Sequence, residues 1–170
     1  MSPEWLQMMA RYNAWQNNNI VGCADRLSDQ ERMADRGAFF GSIMGTLSHT
    51  LWGEFGWMAV FDGGATSDCS IADSGTRFTD WNEFKGLRLA MDRRISKWAD
   101  SMDADGAAGD LVWRWSPNGA ENRAAKDRVF TNLFTHSTQH RGQVHAMLTS
   151  IGAKPGDTDL FLLPAEGAWL

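Results

Sequence analysis

Ser2-Pro3-Glu4 reads as a helix start, with an N-cap, a proline in the first turn and an acid at the positive end of the helix dipole. Trp5, Met9, Tyr12, Trp15 and Ile20 then recur at roughly helical spacing and predict a first helix that ends near Leu27. Ser28-Asp29-Gln30-Glu31 begins a loop or a short helical turn, and residues 32–40 carry no clear element. From about Ser42 to Phe61 apolar residues run nearly all round the helical circumference, which marks an interior helix, stopped by Gly63-Gly64. Residues 63–79, with their Gly, Ser, Thr and Asp, predict a long connection. Thr79 or Asp80 caps a third helix, in which Trp81, Phe84, Leu87, Met91, Ile95, Trp98 and Met102 step by three and four; Asp105-Gly106 ends it. Leu111 to Trp115 alternates like a strand, Pro117-Asn118-Gly119 is a turn signal, and residues near 120–125 return as the second strand of a small hairpin. The fourth helix runs from about Asp127 to Ile151, with Gly152 as its stop and Pro155 beyond. In the tail, Leu160 to Leu163 form an apolar patch expected to pack on the bundle.

Four long amphipathic or interior helices and a minor hairpin give an all-α four-helix bundle, with the hairpin between helices three and four. No internal repeat or composition break divides the chain, so residues 1–170 are expected to form a single domain. The long connections leave room for crossovers, and the pattern alone does not fix which helices run parallel.

Composition narrows the function classes. The net charge is −5, and only Arg93-Arg94 places two cations side by side. Phosphate recognition wants a basic stripe, so nucleic acid is not the expected partner. The first residues lack the basic start and apolar block of a signal peptide, and the longest strongly apolar stretch, Trp57 to Phe61, is far too short to span a bilayer. A cytoplasmic protein with no membrane partner is the expectation. Cys23 and Cys69 form no disulfide or CxxC framework. Nine Trp residues suggest a core or pocket built from wide, flat side chains.

The candidate chemistry lies in the histidines, of which there are four. The inward stripe of helix four reads Val129, Leu133, His136, His140, Val144, Met147, Ile151. Two histidines thus occupy core positions of an aliphatic seam, about 40° apart around the axis and one turn apart along it. A buried imidazole costs free energy unless its nitrogens are satisfied. Carbonyls or hydroxyls would satisfy them; so would one metal ion shared by both rings. His49, mid-way along the interior helix, shares its face with Gly45, Trp52, Gly53 and Gly56. It is off the Ile43, Leu47, Leu51 stripe, but the glycines are expected to leave space beside it. Three His with a position left to water is a catalytic coordination pattern. Glu54 lies about 140° round from His49 and is poorly aimed as a fourth ligand. His145 is about 140° round from His140 and is assigned a structural role. Gln143 returns to the His face, where it either orients a ligand, touches substrate or is simply solvated. The chain holds no Walker loop, no GxGxxG after a strand and no GxSxG.

Arg36-Gly37-Ala38-Phe39-Phe40-Gly41-Ser42-Ile43, then Gly45-Thr46-Leu47-Ser48-His49, resembles the DinB family of metal-binding four-helix bundles. So do Phe134-Thr135-His136-Ser137-Thr138-Gln139-His140-Arg141-Gly142-Gln143-Val144-His145 and the tail Pro155-Gly156-Asp157-Thr158-Asp159-Leu160. The resemblance spans nearly the whole chain and implies an up-down-down-up bundle, often a homodimer, with a Zn- or Ni-like ion on His49, His136 and His140. Ser48 and Thr135 stand where members often carry Asn, Glu54 where Asp is frequent, and Gln139 where His is common. Related bundles include thiol-dependent transferases and isomerases that use bacillithiol, mycothiol or glutathione. The expected function is therefore a metal-dependent transferase or hydrolase acting on a small-molecule substrate with a low-molecular-weight thiol or water. Gln143, Trp52 and Arg141 are the candidate supporting or substrate residues. The alternative is a non-catalytic metal-binding stress-response bundle that works by association.

Overall fold

The computed structural model describes residues 1–64, 69–116 and 118–165. Ser2 caps α1 (Pro3–Ala24), its hydroxyl accepting from the Trp5 amide at 3.3 Å. Ser28 and Glu31 form a reciprocal capping box that turns the ambiguous segment into a one-turn helix, α2 (Asp29–Met33). Ser42 caps α3 (Ile43–Asp62), and Gly63, at φ +70°, ends it in the left-handed conformation that glycine adopts without penalty. Asp80 caps α4 (Trp81–Asp100) through the Glu83 amide. A two-stranded antiparallel hairpin follows, β1 (Asp110–Trp113) against β2 (Asn122–Ala125), with Leu111 opposite Ala124. β2 runs directly into α5 (Lys126–Ser150), and Gly152 at φ +81° stops it.

Two sequence expectations differ in detail. The third long helix ends at Asp100 rather than near Asp105. The Ser101 hydroxyl donates to the Trp98 carbonyl, and the Asp103 carboxylate takes the Gly106 amide, so side chains compete with helical bonds. The patch Leu160 to Leu163 forms a 3-10 turn over Leu160–Leu162 that faces outward, with Phe161 83% exposed. The tail is instead held by its carbonyls: Arg11 donates to Pro164 and Ala165, Tyr12 to Thr158, and Gln16 to Asp157. Pro117 of the expected hairpin turn, and tail residues 166–170, lie outside the described residues.

Side-chain pairs fix the helix directions that the pattern left open. Asp25 meets Trp81 and Lys85 while Asn17 meets Asp92, so α1 and α4 are antiparallel. His49 meets His136 while Phe61 meets Phe130, so α3 and α5 are antiparallel. Trp5 meets Phe134 and Asn13 meets Arg141, so α1 and α5 run parallel. Glu54 meets Arg88 and Asp62 meets Arg94, so α3 and α4 run parallel too. The result is an all-α up-down-down-up bundle with a small hairpin.

Its interior is apolar at both ends and ionic in the middle. Leu6, Ile43, Leu51, Met58, Phe84, Ile95, Leu133, Phe134 and Leu148 are buried. Phe61, Trp98 and Phe130 interlock toward the hairpin end, ring centroids 4.9–5.0 Å apart. Between these layers Arg88 bridges Glu54 on α3 and Asp92 on its own helix, and Asn17 donates to Asp92 at 2.8 Å. Glu54 also accepts from Asn13 at 3.3 Å and Ser137 at 2.9 Å, so every long helix contributes to one buried network. Buried charges persist only when paired and hydrogen-bonded in this way.

Candidate metal centre

The antiparallel pairing of α3 and α5 brings His49 opposite His136 and His140. The Nε2 atoms of His49 and His136 are 3.4 Å apart, and those of His136 and His140 are 3.1 Å apart. All three histidines present a ring nitrogen within 4.8 Å of the others. Among the described residues this group contains no fourth His, Cys, Asp or Glu.

The outer nitrogens decide what the inner ones can do. The Ser74 hydroxyl donates to the Ile71 carbonyl at 2.6 Å, so it meets His49 Nδ1, 2.8 Å away, as an acceptor. His49 therefore carries its proton on Nδ1 and a lone pair on Nε2. On α5 the Gln143 carbonyl oxygen faces His140 Nδ1 at 2.9 Å and imposes the same tautomer. Two lone pairs thus point at His136 Nε2, which has at most one proton to give. One nitrogen contact stays unsatisfied in any neutral arrangement, and a cation at the common point satisfies all three. The His49–His136 and His136–His140 spacings fit as well. Four-coordinate zinc with Zn–N bonds of about 2.0–2.1 Å needs ligand nitrogens roughly 3.3 Å apart.

Burial, reinforced by the neighbouring His140 and His136, pulls the His49 pKa down to about 4. Burial and His140 lower His136 too, against a smaller opposing pull from Glu54. Both shifts favour the neutral form that can bind a metal.

The surroundings hold the rings in place. Phe40 stacks on one face of His49 with centroids 3.8 Å apart, and Trp52 lies against His49 at 5.6 Å. The Trp52 indole donates to the Cys69 carbonyl, and Ser48 donates to the Ser74 carbonyl while accepting the Phe78 amide. These bonds pin the connection after α3 against the centre. Ser48 thus anchors the loop that carries Ser74.

The expected ligand positions come together, Gln143 orients His140, and Trp52 flanks His49. Arg141 does not reach the centre. It lies about 100° round from His140, facing α1, where it donates to Asn13, Asn17 and Thr138. Glu54 likewise faces the buried network rather than the histidines. His145 lies apart and meets the Gly156 carbonyl at 3.3 Å. The glycine row is packed rather than open. A Cβ on Gly45 would sit 2.3 Å from the Phe40 carbonyl, and one on Gly53 would sit 3.3 Å from His136 Cε1. These glycines let the Phe40 segment and α5 approach α3 closely. Sequence reading missed Ser74 and Phe40, because neither stands in a periodic segment. Ser74 lies 25 residues from its partner and within a polar connection.

Replacing Ser74 or Gln143 with Ala frees one histidine to change tautomer and rotate. Each substitution should weaken metal affinity about 10- to 100-fold, measured by competition with a chromophoric chelator. Affinity unchanged in both variants would contradict the assigned tautomers.

No helix among the described residues is long and apolar enough to cross a membrane. The sequence matches the DinB family model over residues 1–167. It is 24% identical to Protein DinB of Bacillus subtilis (strain 168), an alignment covering 92% of this chain and 94% of that protein. With a family match over nearly its whole length, the chain belongs to the DinB family.

Proposed function

We propose that His49, His136 and His140 hold one divalent ion, Zn or Ni, and that the protein is a metal-dependent transferase or hydrolase using a small thiol or water. The observation that carries this reading is the convergence of three Nε2 atoms, two of them held as lone-pair donors by Ser74 and Gln143. A bound ion of this kind supplies a Lewis acid that lowers the pKa of a coordinated thiol or water.

The protein's own groups prepare the site for that chemistry. Three neutral imidazoles leave the full positive charge of an ion in place, because Glu54 is committed to Arg88 and Ser137. Phe40 and Trp52 cover His49 and limit the directions from which a small molecule can approach. Three ligands rather than a closed set of four match open catalytic sites. This arrangement favours catalysis over the alternative, a non-catalytic metal-binding stress-response bundle.

The test is a thiol titration of the cobalt-substituted protein. 2-Mercaptoethanol should bring in a sulfur-to-cobalt charge-transfer band that saturates. An unchanged spectrum at saturating thiol would favour the non-catalytic alternative.

A further inference from the structure

On the other side of α5 from the histidines, a cavity of about 400 Å³ opens between α1, α5 and the tail. Its walls include Tyr12, Gln16 and Ile20 from α1 and Thr138, Arg141 and His145 from α5. Arg141 is only 6% exposed. Its guanidinium donates to Asn13 Oδ1, to Asn17 Oδ1 at 3.2 Å and to Thr138 Oγ1 at 3.1 Å, and every one of these acceptors is neutral.

The contrast is with Arg88, the other buried arginine of the same layer. Arg88 holds both buried carboxylates, Glu54 and Asp92. Among the described residues no carboxylate pairs directly with Arg141. Burial pulls the Arg141 pKa down to about 10, although Glu54 and, less strongly, Tyr12 and Asp92 pull it the other way. Asn13 and Asn17 stand between Arg141 and the two carboxylates, so no anion touches the guanidinium directly, and the residue lines a cavity wide enough for a small molecule.

We propose that this cavity is a binding site for a small monocarboxylate, separate from the histidine centre, with Arg141 as its counter-ion. The guanidinium offers the donor geometry that suits a carboxylate. The Thr138 hydroxyl accepts from Arg141 and keeps its own proton to donate. Ile20 and the Tyr12 ring supply apolar walls for the body of the ligand. A single cation matches a single negative charge. A dianionic phosphate would bring surplus charge toward the layer that already holds Glu54 and Asp92. The tail closes the site from outside, since Gln16, Tyr12 and His145 all meet carbonyls of residues 156–158.

Benzoate is a suitable probe, followed in amide and histidine NMR spectra of the metal-loaded protein. Saturable shifts are expected at Thr138, Gly142 and His145, and they should persist when the metal is stripped. Thr138→Val should weaken benzoate about three- to tenfold, the usual effect of one lost hydrogen bond. His145→Glu places a carboxylate on the rim and should abolish binding without touching the buried network. Arg141→Gln should abolish it too, and His145→Glu answers the question if that core variant does not fold. Four results would overturn the proposal: no saturable shift up to about 10 mM benzoate, benzamide binding as tightly as benzoate, inorganic phosphate binding more tightly than benzoate, or shifts confined to His136 and His140.

Discussion

Replacing Arg88 with Met should cost the fold about 3–5 kcal/mol, a large part of the stability of an ordinary domain. Arg88 is 4% exposed and is the cation that Glu54 and Asp92 share. Methionine fills much of the same volume, so the loss is not chiefly a cavity. It comes from two carboxylates left buried without the cation that pairs with them directly, since Arg141 reaches them only through Asn13 and Asn17. For a chain of this size the midpoint of thermal unfolding should fall by roughly 10 °C. The deficit should also depend on pH. Burial already pushes the Asp92 carboxyl up to about 6 with Arg88 beside it. A carboxyl whose folded pKa lies above its unfolded value near 3.9 is stabilised by protonation in the fold. That contribution is present at low pH and is lost as pH rises through the folded pKa. Removing Arg88 raises the folded pKa further, so the variant should recover part of its stability between pH 7.5 and about 5.5. A loss under about 1 kcal/mol, or a deficit that grows on acidification, would show that the network is not paired as described.

The second large effect is expected at the centre itself. His136 is the histidine whose Nε2 contacts both others, at 3.4 Å and 3.1 Å. Structural three- and four-ligand sites bind zinc with on the order of 10 kcal/mol. One ligand of three is then about 3 kcal/mol, more than a hundredfold in affinity. His136→Ala should therefore retain no stoichiometric metal after dialysis, and His49→Ala and His140→Ala should behave alike. His145→Ala, whose ring lies at Gly156, should keep its ion. The metal-free fold should tolerate His136→Ala, because the change removes a crowded ring whose lone pairs and proton cannot all be matched. Metal-induced thermal stabilisation should disappear with it. Full occupancy in His136→Ala would remove this residue from the ligand set.

The parts of this molecule that were legible in the sequence are those written in local periodicity. Helical spacing marked α1, α3, α4 and α5, and the i, i+4 spacing of His136 and His140 put both rings on one seam. The place of His49 mid-way along the interior helix offered a third candidate, and the family resemblance supplied the up-down-down-up order, which the paired residues along the helices bear out. Long-range effects were not legible. The connection after α3 reads as polar loop, yet Ser74 within it is fully buried and sets the His49 tautomer. Gly45 and Gly53 read as spare room, whereas they mark close approach of the Phe40 carbonyl and His136. A missing side chain is compatible with either outcome until the neighbouring element is placed. Arg141 follows His140 directly in sequence, and the rotation of one residue turns it toward α1 instead. Glu54 showed only that it was poorly aimed as a ligand, and its place in a network spanning four helices depended on Asn13, Arg88 and Ser137 all arriving there.

The most direct test of the three-histidine centre is the metal stoichiometry of the 170-residue chain purified without a histidine tag. The protein would be equilibrated with excess zinc or nickel, freed of unbound metal and measured by elemental analysis, beside the triple variant His49→Ala/His136→Ala/His140→Ala. One ion per chain in the natural sequence and none in the triple variant is the expected result. No bound ion in the natural sequence, or an equal amount in the triple variant, would contradict it.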